Sequence, residues 1–489
     1  MKKYLSAILS FVMILSVLVS CSKQGGGSGG SNRKTDKDDE YTTYVKSLAE
    51  EVNFDGMTFT YIGRSGGNYP IKDEETGDIS SDAVYHRQRD LEDIFGISWE
   101  PVITEIGPDA ADQVINEVMA GGDSYDLANG STQTVGQPLL NAGVIRDVSD
   151  LEHVDMDREW WIKEMQTDYS IKGRIFFLTG PIVVNNYCDT TCMLFNKSVT
   201  EMYGISDADL YQTVKDGDWT IDRMFEVASA VPENPSGTGT WRYDEPPGFD
   251  FILTSGYKIT KFDEEGAPYV DDKLPIEFSN LADKLCPVFS DDSQTINIKY
   301  KKGEDPEKKY GTEELKNLFV DNRALFRFGT TEGALEMRKE DVTFGILPYP
   351  KRDSSQKQYC SYARMGQDSA VYIPRTVKSL EMTDVITEAM GALSQKYVKD
   401  AYYEKLLKGQ SIFDAESSEM LDLIFSTKVY DLIAFYSGAD FDQWGEFLDT
   451  LNDSIRFDNS NFASGYAGSA RLTNIYAQQL VKAVDKIES

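Results

Sequence analysis

The stretch Gly173–Lys197, GRIFFLTGPIVVNNYCDTTCMLFNK, constrains this chain more than any other. It holds an apolar run at Ile175–Leu178, a Gly-Pro break, a second run at Ile182–Val184, two asparagines and a third run at Met193–Phe195. Runs this short, rich in β-branched and aromatic residues and cut by Gly and Pro, read as strands rather than helices. Amphipathic helices flank the stretch on both sides. The pattern predicts that the chain leaves one lobe and enters another here, with polar residues at the crossing facing a ligand. A chain of 489 residues exceeds one ordinary core, so two or more lobes are expected.

The first twenty residues stand apart from the fold. Lys2 and Lys3 precede an apolar run, Leu5–Val19, that is shorter than a membrane span and ends in Leu18-Val19-Ser20-Cys21. This resembles the lipobox of bacterial lipoproteins, in which the Cys thiol is lipidated and becomes the new N-terminus. Two or more acyl chains on one residue give stable anchoring. Ser22 to about Glu40 is rich in Gly, Ser, Lys and Asp and reads as a flexible tether. Its Gly26-Gly27-Ser28-Gly29-Gly30 matches the hydrolase G-x-S-x-G formally, but the strand and helix that motif needs are missing from the pattern.

The formal charge of -32 excludes most nucleic-acid binding, because phosphates are neutralised by Lys and Arg. It also disfavours a face that clings to anionic lipid, and its plain role is solubility. With Cys21 lipidated, Cys188, Cys192, Cys286 and Cys360 remain, and the sequence cannot choose among their pairings. On one strand Cys188 and Cys192 would lie about 13 Å apart at ~3.3 Å per residue, too far to bridge. The two histidines, His86 and His153, are distant in sequence, so zinc is disfavoured and small buried thiols are expected.

The body is expected to start near Met57. Thr58–Ile62 reads as a strand, Asp82–Phe95 as a helix and Ile97–Val102 as a strand. A helix carrying Val114, Ile115, Val118 and Met119 follows, entered at Pro108-Asp109 and closed by Gly121-Gly122. Tyr125–Ala128 reads as a third strand. This alternation predicts an α/β protein with mostly parallel sheets, whose ligands sit off the carboxyl ends of strands. Arg64, Asn68 and Tyr69 would share that rim with Asn129, Ser131 and Gln133. Further on, Thr220 caps a helix with Ile221, Met224, Phe225, Ala228 and Val231 on one face. Glu233–Gly248 reads as a loop. Ala324–Phe328, Val342–Leu347 and Ala370–Ile373 read as strands, and the chain is mainly helical after Leu380.

These segments together resemble the extracellular solute-binding lipoproteins of bacterial ABC importers, of the family 1, maltose- and oligosaccharide-binding type. The lipobox and tether carry the likeness, as do Met119–Leu127, Gly173–Phe177 with Met193–Lys197, and Asp218-Trp219-Thr220. Asn322–Phe326 and Phe344–Pro350 complete it. Many relatives carry a calcium-loop-like stretch after the Trp-Thr helix. Here Glu233–Gly239 lacks the aspartates that such a loop needs.

The resemblance implies a periplasmic-binding-protein-like fold of two lobes, each a mostly parallel sheet flanked by helices, joined by hinge strands. The hinges would fall near Val184–Asn186 and Phe328–Thr330. Residues 1–20 would be the signal peptide and 21–54 the lipidated Cys and tether. Residues 55–184 plus 330–375 would form lobe 1, and 185–329 plus 376–489 lobe 2. The implied function is capture of a small solute, a sugar or oligosaccharide, and its delivery to a membrane permease. It involves no catalysis, cofactor or metal, and implies a monomer tethered on the extracytoplasmic face of the cell membrane.

Sugars present apolar faces to aromatic rings and hydroxyl edges to polar groups. Arg64, Asn68, Tyr69, Asn129, Ser131, Gln133, Asn185, Asn186, Thr331 and Glu332 are therefore the expected polar contacts. Trp241, Phe249 and Trp444 are the expected stacking platforms, and Trp219 reads as core. The alternatives are a surface lipoprotein glycoside hydrolase, which needs two carboxylates flanking a cleft, and a peptide-binding relative of the same fold. No histidine-based triad, HExxH or P-loop pattern supports another enzyme.

Overall fold

The computed structural model describes residues 36–64, 71–72, 74–183, 189–244, 246–297, 312–364, 370–408, 414–436 and 445–487. In chain order its strands are β1 (Thr58–Arg64), β2 (Ser98–Thr104), β3 (Leu127–Gly130), β4 (Thr191–Asn196), β5 (Trp241–Asp244), β6 (Lys261–Phe262), β7 (Pro268–Tyr269), β8 (Thr295–Ile296), β9 (Ala324–Thr330), β10 (Phe344–Leu347), β11 (Ser361–Tyr362), β12 (Ala370–Tyr372) and β13 (Lys428–Val429).

The first sheet has the order β12-β3-β1-β2 and is parallel except for its edge strand β12. Phe59, Tyr61 and Leu127 project from it into a core shared with Leu91 and Val114 of the covering helices. The helix Gly107–Met119 forms as its spacing predicts, with Pro108 in its first turn and Gly121 beyond its end in the left-handed region. Val114 and Val118 are buried, but Met119 is 68% exposed, because the apolar stripe ends one residue earlier. The second sheet has the order β10-β4-β9-β5-β8. Its β10-β4-β9 half is antiparallel and its β9-β5-β8 half parallel. Trp219 is fully buried in this body and donates its indole N–H to the Pro348 carbonyl at 3.2 Å. Thr220 caps the helix Ile221–Ala228 as expected, accepting from the Arg223 N–H.

Four expectations about the layout are corrected. First, the body begins earlier than Met57. The helix Asp36–Glu51 packs Tyr41 and Val45 into the first core, so the tether does not run to residue 54. Second, Ile175–Leu178 is not a strand. It is buried extended chain that touches the first sheet through one bridge, Leu178 to Val371.

Third, β9 is not a hinge. It stays paired to β4 through Gly329 and Thr330, then turns into the helix Thr331–Met337, whose Ala334 and Met337 pack in one cluster with Cys192 and Leu194 of β4. β10 also lies against β4, so Phe344–Leu347 sits in the second sheet, and among the described residues of the 330–375 stretch only the strand Ala370–Tyr372 joins the first. Fourth, the helix Leu380–Ser394 packs in the first core through Met382, Val385 and Leu393, whereas the resemblance put it in lobe 2.

The chain passes between the two bodies through segments that run side by side. Thr190 bridges to Ala363, β11 pairs in parallel with β13, and the Ala363 N–H donates to Val429 O at 3.2 Å. Residues 189–191, 361–364 and 427–430 therefore form one small layer at the junction. The helix Phe462–Lys486 spans both bodies: Tyr466 and Ala470 lie in the second core, Leu480 and Val484 in the first. Cys192, Cys286 and Cys360 are buried free thiols. Among the described residues, no helix is long and apolar enough to cross a membrane.

Candidate functional site

The junction layer carries polar chemistry that neither sheet needs. The bridge from Thr190 to Ala363 brings Asp189 beside Arg364, whose backbone N–H donates to Asp189 O at 2.8 Å. The Arg364 guanidinium pairs with the Asp250 carboxylate. Asp250 is fully buried in the helix Gly248–Thr254 and also accepts from the Tyr349 hydroxyl at 3.2 Å. The guanidinium lies 5.9 Å from the ring centre of half-buried Phe249, which meets Tyr362 edge-on at 6.0 Å. The Arg364 side chain keeps 35% exposure, so this buried pair has an open side.

Glu332 approaches the same place from the helix Thr331–Met337. The Thr331 N–H donates to Thr190 O at 2.9 Å, and this anchors that helix on the first crossing segment. Burial and the negative charge of Glu332 push the Asp189 carboxyl up to about 6, with Arg364 opposing. Burial and Glu336 raise Glu332 as well, against Lys339.

Burial leads at the other raised carboxyls too, but there hydrogen bonds to the carboxylate oppose it. Asp126, Glu388 and Asp431 each accept hydrogen bonds from described groups: Thr60 N–H at 2.8 Å, Trp161 indole N–H at 2.8 Å, and Thr260 N–H at 2.8 Å respectively. Among the described residues, none donates a hydrogen bond to the side-chain carboxylate of Asp189 or of Glu332. The Thr190 hydroxyl and the Asp250 Oδ1, both fully buried, also lack partners among the described residues. Buried polar groups are nearly always satisfied, so an orphaned group marks a place where something else supplies the bond.

Of the residues expected from sequence, the structure brings Phe249, Thr331 and Glu332 to this junction. Arg64 ends β1, and Asn129, Ser131 and Gln133 lie at or just after the end of β3, on the rim of the first sheet. Two of these serve the fold. The Asn129 amide donates to Ala370 O at 2.9 Å and holds the edge strand, while Ser131 caps the following turn by accepting from the Thr134 N–H at 3.0 Å.

Trp241 is corrected outright. It is not a stacking platform in a loop but the first residue of β5, 8% exposed. Its indole donates to Asp292 O, and Arg323 covers its ring. Asn68, Tyr69, Asn185, Asn186 and Trp444 lie outside the described residues, as does Cys21. Sequence reasoning missed Asp189, Asp250 and Arg364. Asp189 stands a few residues beyond the asparagines that were singled out, but nothing local marks Arg364 or Asp250. A groove of about 520 Å³ lies between Trp161 and Pro181 on one side and Phe425 and Lys428 on the other.

No family model matches the chain, and no curated protein matches it. Solved structures do. The cyclic alpha-maltosyl-1,6-maltose binding protein from Arthrobacter globiformis is 10% identical with a TM-score of 0.53, covering 87% of this chain and 99% of its own. The ABC substrate-binding protein from Listeria monocytogenes in complex with cycloalternan is 12% identical with a TM-score of 0.51, covering 87% and 100%. A family 1 extracellular solute-binding protein from Bifidobacterium longum subsp. infantis is 13% identical with a TM-score of 0.51, covering 85% and 99%. The chain has the two-lobed α/β fold of these solute-binding proteins.

Proposed function

We propose that this protein is a non-enzymatic, extracytoplasmic solute-binding lipoprotein that captures a sugar or oligosaccharide between its two bodies and delivers it to an ABC importer permease. The observation that carries the reading is the acceptor-rich junction. Asp189 and Glu332 offer carboxylate oxygens with no donor from the described protein, beside the half-buried ring of Phe249. A saccharide brings many hydroxyl donors on its edge and an apolar face, which is the complement of that surface. Arg64 and Gln133 on the first sheet's rim, with Asn68, Tyr69, Asn185, Asn186 and Trp444, complete the proposed contact set.

A ligand that touches both bodies binds the closed arrangement better and shifts the population toward it. Converting a 1:99 mixture to 99:1 takes about 5.5 kcal/mol of differential binding. The fold supports the permease partnership by analogy. With residues 1–20 removed as signal peptide, lipidated Cys21 would hold the monomer at the outer face of the cell membrane.

A thermal-shift screen of neutral and charged oligosaccharides, peptides and metal ions tests the proposal. A cognate saccharide at 100 times its Kd adds about 2.7 kcal/mol of stability. A shift with peptides alone overturns the reading. The two raised carboxyls also make a glycosidase the natural rival. Incubation with end-labelled oligosaccharides is expected to give no shortened product.

A further inference from the structure

The junction says more about the solute than that it bears hydroxyls. The Thr331 N–H bond to Thr190 O at 2.9 Å sets Glu332 beside the Asp189 segment, and the Arg364 N–H bond to Asp189 O at 2.8 Å sets Arg364 there too, with its guanidinium committed to the Asp250 carboxylate. Asp189 faces Glu332 from the helix Thr331–Met337, Arg364 from the second crossing segment, and the Tyr362 phenol. Glu332 in turn faces Glu336 and Lys339. Neutral hydroxyls would satisfy the open acceptors but leave Asp189 and Glu332 repelling each other. A protonated amine supplies N–H donors and removes the repulsion together.

Two further features fit a cation. Phe249 already presents its ring to a guanidinium, so that ring suits positive charge. The chain's formal charge of -32 raises the local concentration of cationic solutes. The orphaned, fully buried Asp250 Oδ1 and Thr190 hydroxyl show that the polar groups here are not closed on themselves.

We propose that the solute is an amine-bearing saccharide, an amino sugar with a free ammonium group, held by Asp189 and Glu332 at the junction of the two bodies. The proposal rests on the saccharide-capture reading and narrows it. In the complex the ammonium donates to both carboxylates, the sugar face covers Phe249, and Arg364 stays with Asp250.

Calorimetric titration of the full chain separates this from the broader reading. The probes are the glucosamine trimer, its fully N-acetylated counterpart and maltotriose. At about pH 7 and low salt the glucosamine trimer is expected to bind at least about tenfold more tightly than the acetylated one. Raising the salt weakens that preference, since the surrounding charges are screened.

Asp189→Asn and, on the solvent-facing first turn of its helix, Glu332→Gln should each erase most of the preference. Their unchanged far-ultraviolet spectra would exclude unfolding as the cause. Equal or tighter binding of the acetylated trimer, or preference retained in both variants, overturns the amine assignment. Tight binding of maltotriose without an amine preference would do so while leaving saccharide capture intact. If no saccharide of either kind binds, the capture reading falls as well.

Discussion

Replacing Asp189 by Asn should make the protein more stable and, on the reading above, worse at its task. The Asp189 carboxyl is raised from its ordinary 3.8 to about 6, burial first and the Glu332 charge second. A shift of about two units corresponds to roughly 3 kcal/mol at 1.36 kcal/mol per unit. Asp189 is only partly enclosed, so water screening reduces the expected gain to about 1–2 kcal/mol. The sign follows from linkage. A carboxyl raised in the folded state binds its proton more tightly there than in the unfolded chain, so stability falls as pH rises from about 4 to about 6. Above that window the penalty is complete; below it the penalty is gone. The difference in urea stability between Asp189→Asn and the parent should therefore be near zero at about pH 4 and reach its full value by about pH 7. Asp126 and Glu388 are also raised, to about 6 and about 7, but they remain in both proteins and cancel in the difference. A pH-independent difference, or a loss of stability at neutral pH, would refute the reasoning that Asp189 is a donor-starved carboxylate.

Other outcomes test other parts of the structure. Arg364→Met leaves the fully buried Asp250 with only the Tyr349 hydroxyl, so it should cost about 3 kcal/mol in urea unfolding. The double change with Asp250→Asn should recover most of that loss. Trp241→Phe removes a buried indole bond to Asp292 O, so it should lower stability by about 1–2 kcal/mol. Its saccharide affinity should stay within about twofold of the parent. Val45→Ala, at a fully buried position of the helix Asp36–Glu51, should cost about 2 kcal/mol. Hydrogen exchange should then quicken over residues 41–48 first.

Local signals were legible where neighbours in sequence decide the outcome. Thr220 needed only its own turn to be read as a cap, and Gly121 only its permissive backbone to be read as a stop. Ala324–Phe328 was readable because a buried strand is a run of apolar residues whichever partner it finds. What failed was partner choice across distance. β10 lies between β9 and β12 in the chain and could join either sheet by its composition; the register of Phe344 opposite Asn196 decides it. Tyr41 and Val45 carried a helical spacing, but an adjoining Gly-Ser tether and a string of acids masked it. Trp241 sat among Pro and Gly in a strand of only four residues, too short for any periodicity to show. Asp189 and Arg364 become a site only when Thr190 meets Ala363, a contact between residues more than 170 positions apart with no local trace.

That same contact bears on how the proposed closure would work. A hinge made of one strand can swing freely, whereas here residues 189–191, 361–364 and 427–430 are bonded to one another where they cross. Bending one of them bends all three. The helix Phe462–Lys486 adds a further tie. Its C-terminal end is fastened to the first body by Arg174, which donates to Val484 O and Ile487 O at 2.9 Å each, while Tyr466 is buried in the second core. An intact helix resists bending, so on the proposed capture reading a twist about an axis near the junction layer would disturb this tie less than a wide opening. Charges at such an axis are nearly stationary while the outer surfaces travel furthest. Asp189 and Glu332 would thus hold the solute's anchoring group in both arrangements, leaving rim residues such as Arg64 and Gln133 to engage only on closure. On the proposed reading, differential binding, and with it the force for closure, would come from the rim, while selection of the solute would come from the floor.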